Sequence, residues 1–372
     1  MTKLSEIPIV QVPLTEGKDP SVPAEVTKQL LESKRPSIAE VELTLFENCN
    51  IECDFCFHDK KSTIGLTRDE MQEKLHIADK FIEERAGTVD LVQFNIVGGE
   101  LFQDRWMERL CDDFFYIAWQ INNIAYKHKV KLRIVWVSNF LFAKKELVKD
   151  LMDQLRNAGV DSHLIVSYDF DGRPMSNRYK KNIEWFGPEY IISVNLVGTV
   201  ESIRIFMEDK DEYFKWLYDN FNIYFDDFIP DKGTDAMMPS DSMIYEWYKF
   251  IADRYPKIAP VATLLENEVN EMHCLSLNKL TIFPDNRTSN CRWHRYDQDD
   301  FTTTLNMDDN AGMMQNYIDD LGCLSCEYFQ RCGLRCFTQS DWKNRERDMS
   351  NPRCPMKAFF NYVTKGIEWK SE

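Results

Sequence analysis

The chain has 372 residues, 44% hydrophobic and 28% charged, the composition of an ordinary globular protein long enough for a large core plus an appendage. No apolar run reaches the ~18 residues of a membrane span, and the start, Met1-Thr-Lys-Leu-Ser-Glu-Ile-Pro, carries no apolar signal-peptide core, so a cytoplasmic protein is expected. A formal net charge of −16 argues against a nucleic-acid partner, whose phosphates need clustered Lys and Arg, and suits a small molecule or a neutral or basic peptide as substrate.

Residues 1–38 contain Pro8, Pro13, Pro20, Pro23 and Pro36 with no sustained periodicity beyond a short helix candidate at 24–33, and read as an N-terminal extension. From Val41 the pattern alternates. Short β-branched or apolar runs at 41–46, 91–97, 132–137, 163–167, 191–196 and 222–228 predict strands. Helix-length segments separate them. Thr67-Arg-Asp-Glu70 is a capping box that opens the first helix, and others are expected near 103–128, 144–158, 174–185, 208–220 and 239–254. Strand–helix alternation implies βαβ units and a parallel sheet. In parallel α/β folds reactive residues sit at the carboxyl ends of the strands.

Eleven cysteines in a chain expected in the cytoplasm point to metal rather than disulfides. Three lie at 49–56 and seven between Cys274 and Cys354. Cys111 stands apart on an apolar helix face, the place of a buried, inert thiol. Cys49-x3-Cys53-x2-Cys56 follows the first strand. Three thiolates in eight residues cannot pair off as disulfides, but they can converge on a metal centre. Soft thiolates select zinc, copper(I) or iron–sulfur clusters, and three of them leave one metal position open.

This spacing, with Phe55 before the third cysteine, resembles the signature of the radical S-adenosylmethionine (SAM) family. The resemblance implies a partial (β/α)6 TIM-like barrel and a [4Fe–4S] cluster held by Cys49, Cys53 and Cys56. In that family the fourth iron is chelated by SAM, which one electron cleaves to a 5′-deoxyadenosyl radical. Gly98-Gly99-Glu100 after the second strand resembles the family's Gly-Gly-Glu motif, with Leu101 where proline is usual; its glycines let a ligand approach the backbone, and its carboxylate suits the SAM ammonium. Ser138-Asn139-Phe140 stands where the family often has Thr-Asn-Gly, and suits ribose or carboxylate oxygens. After strand four, Ser167-Tyr-Asp169-Phe-Asp171-Gly172 fits the family's Ser-x-Asp-Gly in two registers, of which Ser167 with Asp169 is preferred. Arg173 and Arg178 follow and read mainly as solvated side chains, and strand five is expected to lie against the adenine.

Residues 231–272 change character and read as a helical bridge, with a helix from Ser240 or Ser242 and chain breaks at Pro256 and Pro260. Beyond it, Cys274, Cys291, then Cys323-x2-Cys326-x5-Cys332-x3-Cys336 and Cys354 resemble the seven-cysteine SPASM domain. A hairpin is expected at 280–287, turning at Asp285-Asn286. Asn286 replaces a motif glycine, a mild departure because Asn tolerates a left-handed turn. The family's ligation implies two auxiliary [4Fe–4S] clusters: one on Cys274, Cys291 and Cys336, the other on Cys323, Cys326, Cys332 and Cys354. The first has a fourth iron that is open or taken by His273, Asp285 or His294. Zinc ribbons are the plain alternative. The expected division is 1–38, 39–230, 231–272 and 273–372.

SPASM enzymes mostly modify ribosomally made peptides. The resemblance therefore implies an oxidative peptide modification such as a crosslink or thioether, with an electron donor such as flavodoxin or ferredoxin and no nucleic-acid or membrane partner. The alternatives are a small-molecule dehydrogenase or epimerase, formylglycine formation, and a non-catalytic metal-binding protein. Sulfatase-maturing relatives place a catalytic aspartate where this chain has Arg292, which counts against the formylglycine reading. Asp285, His294, Tyr296 and Asp297 are nearby candidates for a base.

Overall fold

The computed structural model describes residues 38–56, 58–170, 177–228, 234–265, 278–289, 318–319, 321–332 and 354–368. The expected extension up to residue 37, the Asp171-Gly172 register, Arg173, and Cys274, Cys291 and Cys336 lie outside the described residues. So do His273, Arg292, His294, Tyr296 and Asp297.

Six strands succeed one another in chain order: β1 (Ile38–Thr44), β2 (Leu91–Val97), β3 (Lys131–Ser138), β4 (Ser162–Ser167), β5 (Ile191–Gly198) and β6 (Ile223–Asp227). Each pairs in parallel with the next. Helices α1 (Arg68–Arg85), α2 (Asp104–His128), α3 (Lys145–Asn157) and α4 (Asn177–Tyr190) fill the first four crossovers. The capping box forms as expected: the Thr67 hydroxyl accepts from the Glu70 amide, and Glu70 Oε2 accepts from the Thr67 amide at 3.0 Å. In α2 the buried Met107, Leu110, Phe114, Ile117, Ile121 and Ala125 recur every three or four residues, so one stripe of the helix lies on the sheet. The strands show the matching alternation. Ala39, Val41, Leu43, Val92, Phe94 and Ile96 are fully buried in the core, whereas the opposite side carries Glu42, Thr44, Gln93 and Asn95.

The single helix expected at 208–220 is replaced by two: α5 (Val200–Met207), capped by Thr199, and α6 (Glu212–Asn220), capped by Asp211. Asp209 sits between them in the left-handed region, φ 55°, which stops the first helix before the second begins. The expected bridge helix is α7 (Asp241–Arg254), with Ser240 as its cap, followed by the short α8 (Val261–Leu265).

The expected hairpin is present as β7 (Lys279–Ile282) and β8 (Thr288–Ser289), paired antiparallel. Asn286 takes the left-handed conformation at φ 66°, as its place in the turn requires. Although the hairpin belongs to the cysteine-rich part of the sequence, β7 pairs in parallel with β1. The sheet therefore has eight strands, in the order β6-β5-β4-β3-β2-β1-β7-β8. The chain end returns to the same body. Helix α9 (Phe329–Cys332) leads Tyr328 onto α10 (Pro355–Lys365), where its ring stacks on Phe360 at 5.0 Å. Helix α10 packs on α7 through Phe359 against Tyr248, and the Tyr362 hydroxyl donates to Asp253 at 2.8 Å.

Candidate active site

The cysteine loop leaves the carboxyl end of β1, and the Gly-Gly-Glu turn leaves the carboxyl end of β2 beside it. Register pairs Thr44 with Val97, so the two segments depart the sheet side by side. They then bond to each other: the Gly99 amide donates to the Phe46 carbonyl at 2.9 Å and the Glu100 amide to the Asn48 carbonyl at 3.0 Å. A Cβ on Gly99 would stand 2.0 Å from the Glu47 carbonyl oxygen and 2.3 Å from that of Asn48. What the missing side chain admits at Gly99 is thus the backbone that carries the first cysteine.

Asn48, one residue before Cys49, is anchored from α2. Its Oδ1 accepts from Gln103 Nε2 at 3.2 Å, from Trp106 Nε1 at 3.3 Å and from the Arg105 guanidinium. Sequence reasoning missed this anchor. The residues had no motif around them, and only the i, i+2, i+3 spacing of Gln103, Arg105 and Trp106 at a helix start hinted at a shared acceptor. Glu47 was missed as well. Its carboxylate is 2% exposed and faces His58 Nδ1 at 3.2 Å, so a buried acid and an imidazole bracket the loop at its two ends. Within the loop the Cys56 amide donates to the Cys53 carbonyl at 3.2 Å, and Lys60 Nζ donates to that same carbonyl at 3.3 Å.

Glu100 is 1% exposed and collects donors from β3. Its Oε1 accepts from the Ser138 hydroxyl at 2.8 Å and the Phe102 amide at 2.9 Å, and its Oε2 from the Asn139 amide at 2.6 Å. The Asn139 side chain reaches on to Asn50 Oδ1 at 2.9 Å, inside the cysteine loop. The Gly-Gly-Glu turn, Ser138-Asn139 and the cysteine loop, inferred separately from sequence, therefore form one hydrogen-bonded unit. Phe55 is nearly buried and packs with Phe228 and Val197, joining the loop to the ends of β5 and β6.

Ser167 ends β4 opposite Asn195 of β5. Asp169 is 1% exposed and goes elsewhere: its Oδ1 accepts from Ser202 of α5 at 2.8 Å. The structure thus does not bring Asp169 into the hydrogen-bonded unit around Glu100. Arg178 is exposed and donates to the Leu141 carbonyl at 3.3 Å. Cys111 is partly exposed against the core, and burial raises its thiol above the ordinary range.

The described cysteines are all free thiols. Burial pushes the Cys49 thiol up to about 12, with the Glu100 carboxylate and the Cys53 and Cys56 thiols adding to the effect against one backbone hydrogen bond from Ile51. A bare thiolate is unwelcome there, and a bound cation would reverse the balance. Among the described residues no three ligating side chains gather around a single-ion position. A multi-iron cluster, in which each thiolate takes a different iron, calls for wider spacing, and the soft three-thiol set fits it.

A second thiol group forms at the chain's end. Cys323 is buried, its thiol pushed up to about 12 by burial and by neighbouring Cys354 and Cys326. Cys354 stands at the N-cap of α10, before Pro355, so the packing of Tyr328 on Phe360 brings the Cys323–Cys332 segment to it. All four described cysteines of this part belong to the set expected for one auxiliary cluster.

No family model matches the chain, and no curated protein matches it in sequence. Solved structures match in fold. The chain is similar to native anSMEcpe with bound AdoMet and Kp18Cys peptide, with a TM-score of 0.59 and 18% identity over 88% of this chain and 97% of that one. A histidine-tagged anSMEcpe with bound AdoMet gives a TM-score of 0.58 at 16% identity, covering 88% of this chain and 96% of that one. Streptococcus suis SuiB gives 0.52 at 13% identity, covering 92% and 83%. The α/β architecture with its parallel sheet is therefore shared with these proteins over nearly their whole length.

Proposed function

We propose that this chain is a radical SAM enzyme of the SPASM type that oxidatively modifies a residue of a ribosomally made peptide. The observation that carries the reading is the union of the three-cysteine loop with Glu100, Ser138 and Asn139 at the carboxyl ends of β1, β2 and β3. Cys49, Cys53 and Cys56 would hold a [4Fe–4S] cluster, and that cluster together with SAM supplies a radical able to take hydrogen from an unactivated C–H bond.

The protein's own part is positioning and exclusion of water. Glu100, fixed by three donors, presents a pre-oriented carboxylate to the SAM ammonium without first having to shed mobile water. Asn139 ties that carboxylate's loop to the cysteine loop, so the SAM-binding and metal-binding parts keep one relative geometry. Phe55 closes the loop against Phe228, giving the mouth a dry apolar wall. Ser167 and Asn195, paired across β4 and β5, would offer hydrogen bonds to the rest of the nucleoside, while Asp169, just past β4, is tied to Ser202 of α5.

Residues 39–230 would form the SAM module, 231–272 the bridge and 273–372 the auxiliary-cluster module. Within the last, Cys323, Cys326, Cys332 and Cys354 would hold one cluster and Cys274, Cys291 and Cys336 the other. A peptide substrate is supported by the fold shared with a protein solved with a Kp18Cys peptide, and by the −16 charge, which favours neutral or basic partners.

The test is iron and sulfide content after anaerobic reconstitution, with SAM cleavage assayed under dithionite. The wild type should hold about 12 irons, and the triple variant Cys49→Ala, Cys53→Ala, Cys56→Ala about 8, with loss of 5′-deoxyadenosine. Zinc in place of iron, or an iron-replete protein that leaves SAM intact, would sink the proposal.

A further inference from the structure

A cavity of about 410 Å³, open to solvent, lies against the cysteine loop. Its wall includes Cys49 itself, with Asn50, Glu52, Lys60, Lys61 and Arg105. Three of these side chains are cationic and one is anionic. Among the described residues none of the three cations is in an ion pair: Lys60 Nζ donates to the Cys53 carbonyl, and Arg105 donates to Gln103 Oε1 at 3.0 Å and to Asn48. Among the described residues no carboxylate pairs with them, and three cations face one anion, Glu52, across this wall.

Two facts set this place apart from the rest of the molecule. The whole chain carries −16, so an acidic protein is repelled over most of its surface and finds a favourable landing only where cations are locally in excess. And the cations here share a wall with a partly exposed thiol of the proposed metal loop, which puts one through-ligand route to that centre at the cavity. A cationic cavity elsewhere would suit any anion. One walled by a cluster cysteine suits a partner whose business is an electron.

We propose that the face formed by Lys60, Lys61 and Arg105 around Cys49 is the docking site for an acidic one-electron carrier protein. This rests on the function proposed above, because reductive cleavage of SAM consumes one electron per turnover. The carrier supplies that electron and leaves one electron more oxidised. No bond to the carrier forms or breaks, so the contact is transient and sensitive to salt.

The test uses the reconstituted chain and an oxidised flavodoxin of net negative charge, followed by flavin fluorescence at low and high ionic strength. Lys61→Glu should raise the dissociation constant several-fold at low salt, with Lys61→Gln in between, and added salt should erase the difference. Lys210→Glu, which makes the same change in net charge at an exposed residue after α5, should leave binding unchanged. Dithionite-driven SAM cleavage should be equal in wild type and Lys61→Glu, while flavodoxin-driven cleavage falls in the variant.

Equal binding by wild type and Lys61→Glu, or an equal loss in Lys210→Glu, overturns the proposal. So does stoichiometric binding of inorganic phosphate that displaces flavodoxin competitively, since the cavity is then a small-anion site. A wild type that binds flavodoxin in the Lys61-dependent way but never cleaves SAM refutes the proposed function and leaves the docking face standing.

Discussion

Gly98 and Gly99 look interchangeable as a turn, yet their surroundings differ. A Cβ at Gly98 meets the Phe46 carbonyl oxygen at 2.8 Å and the flexible Leu101 side chain at 3.0 Å, whereas at Gly99 it meets two carbonyl oxygens at 2.3 Å or less. Backbone cannot step aside as a leucine tip can. Gly99→Ala should therefore cost at least the ~1–3 kcal/mol of an overpacked core and push the Asn48–Cys49 segment off the sheet. Gly98→Ala should cost less. Denaturant unfolding of both variants, with SAM binding measured alongside, checks the order; equal costs would show that the loop is not seated as described. The motif was legible in the sequence because cysteine and glycine spacings are sparse and chemically specific. The purpose of Gly99 was not, since the atoms it avoids belong to residues 47–48 and come near only when β1 and β2 pair.

At the scale of elements, the join between α1 and the β7–β8 turn rests on a lysine that sequence reasoning passed over. Lys74 lies on a helix rich in charge, where a surface position is the ordinary expectation, but it is fully buried. Its ammonium donates to the Pro284 carbonyl at 2.7 Å, Asn286 Oδ1 at 3.1 Å and the Glu70 carbonyl at 3.2 Å, while Asn286 Nδ2 donates to Glu73 at 2.6 Å. This gives the asparagine at a glycine position a physical reason: it keeps the left-handed turn and adds two bonds that glycine lacks. Asn286→Gly should lower stability by about 1–2 kcal/mol in denaturant unfolding despite its easier backbone, because a buried charge loses an acceptor. Burial brings Lys74 down to about 8, with Glu70, Asp285 and Glu73 opposing the shift. The folded chain thus gives up this proton near pH 8 and the unfolded chain near the usual lysine value of about 10.5. Below pH 8 both states are protonated and the burial penalty is complete. From pH 8 to about 10.5 the unfolded state binds more protons, so this group's contribution to stability rises with pH. The unfolding free energy of wild type minus that of Lys74→Met should grow by ~3 kcal/mol across that window. A flat difference would place Lys74 in water. The strand and helix order was readable from periodicity; this tie was not, because it joins positions 210 residues apart.

At the scale of the molecule, the sheet and the cysteines are separable. One core cluster runs from Ala39 through the six parallel strands to Phe360, and pairing from β6 to β8 is continuous, with no cysteine in any of the eight strands. Of the described cysteines, those at 49–56 follow the carboxyl end of β1, and Cys326, Cys332 and Cys354 pack against the outside of the core cluster. The 49–56 loop is tied down by the Asn48 and Glu100 hydrogen bonds, whereas the 323–332 segment is held by Tyr328 on α10. If the proposed clusters are bound, removing their iron by chelation would withdraw positive charge from two groups of crowded thiols and leave the sheet's own bonds in place. Far-UV circular dichroism should change little, and amides of β1 to β5 should keep their protection from hydrogen exchange. Amides at 323–332, which have few backbone partners beyond single turns, should exchange much faster, and those at 49–56 by less, because protein donors hold that loop independently of metal. A cooperative loss of helix and strand signal on chelation would instead make the clusters part of the folding core, as in small metal-nucleated domains. That outcome is hard to reconcile with a sheet whose apolar strands pair and bury one another with no cysteine among them.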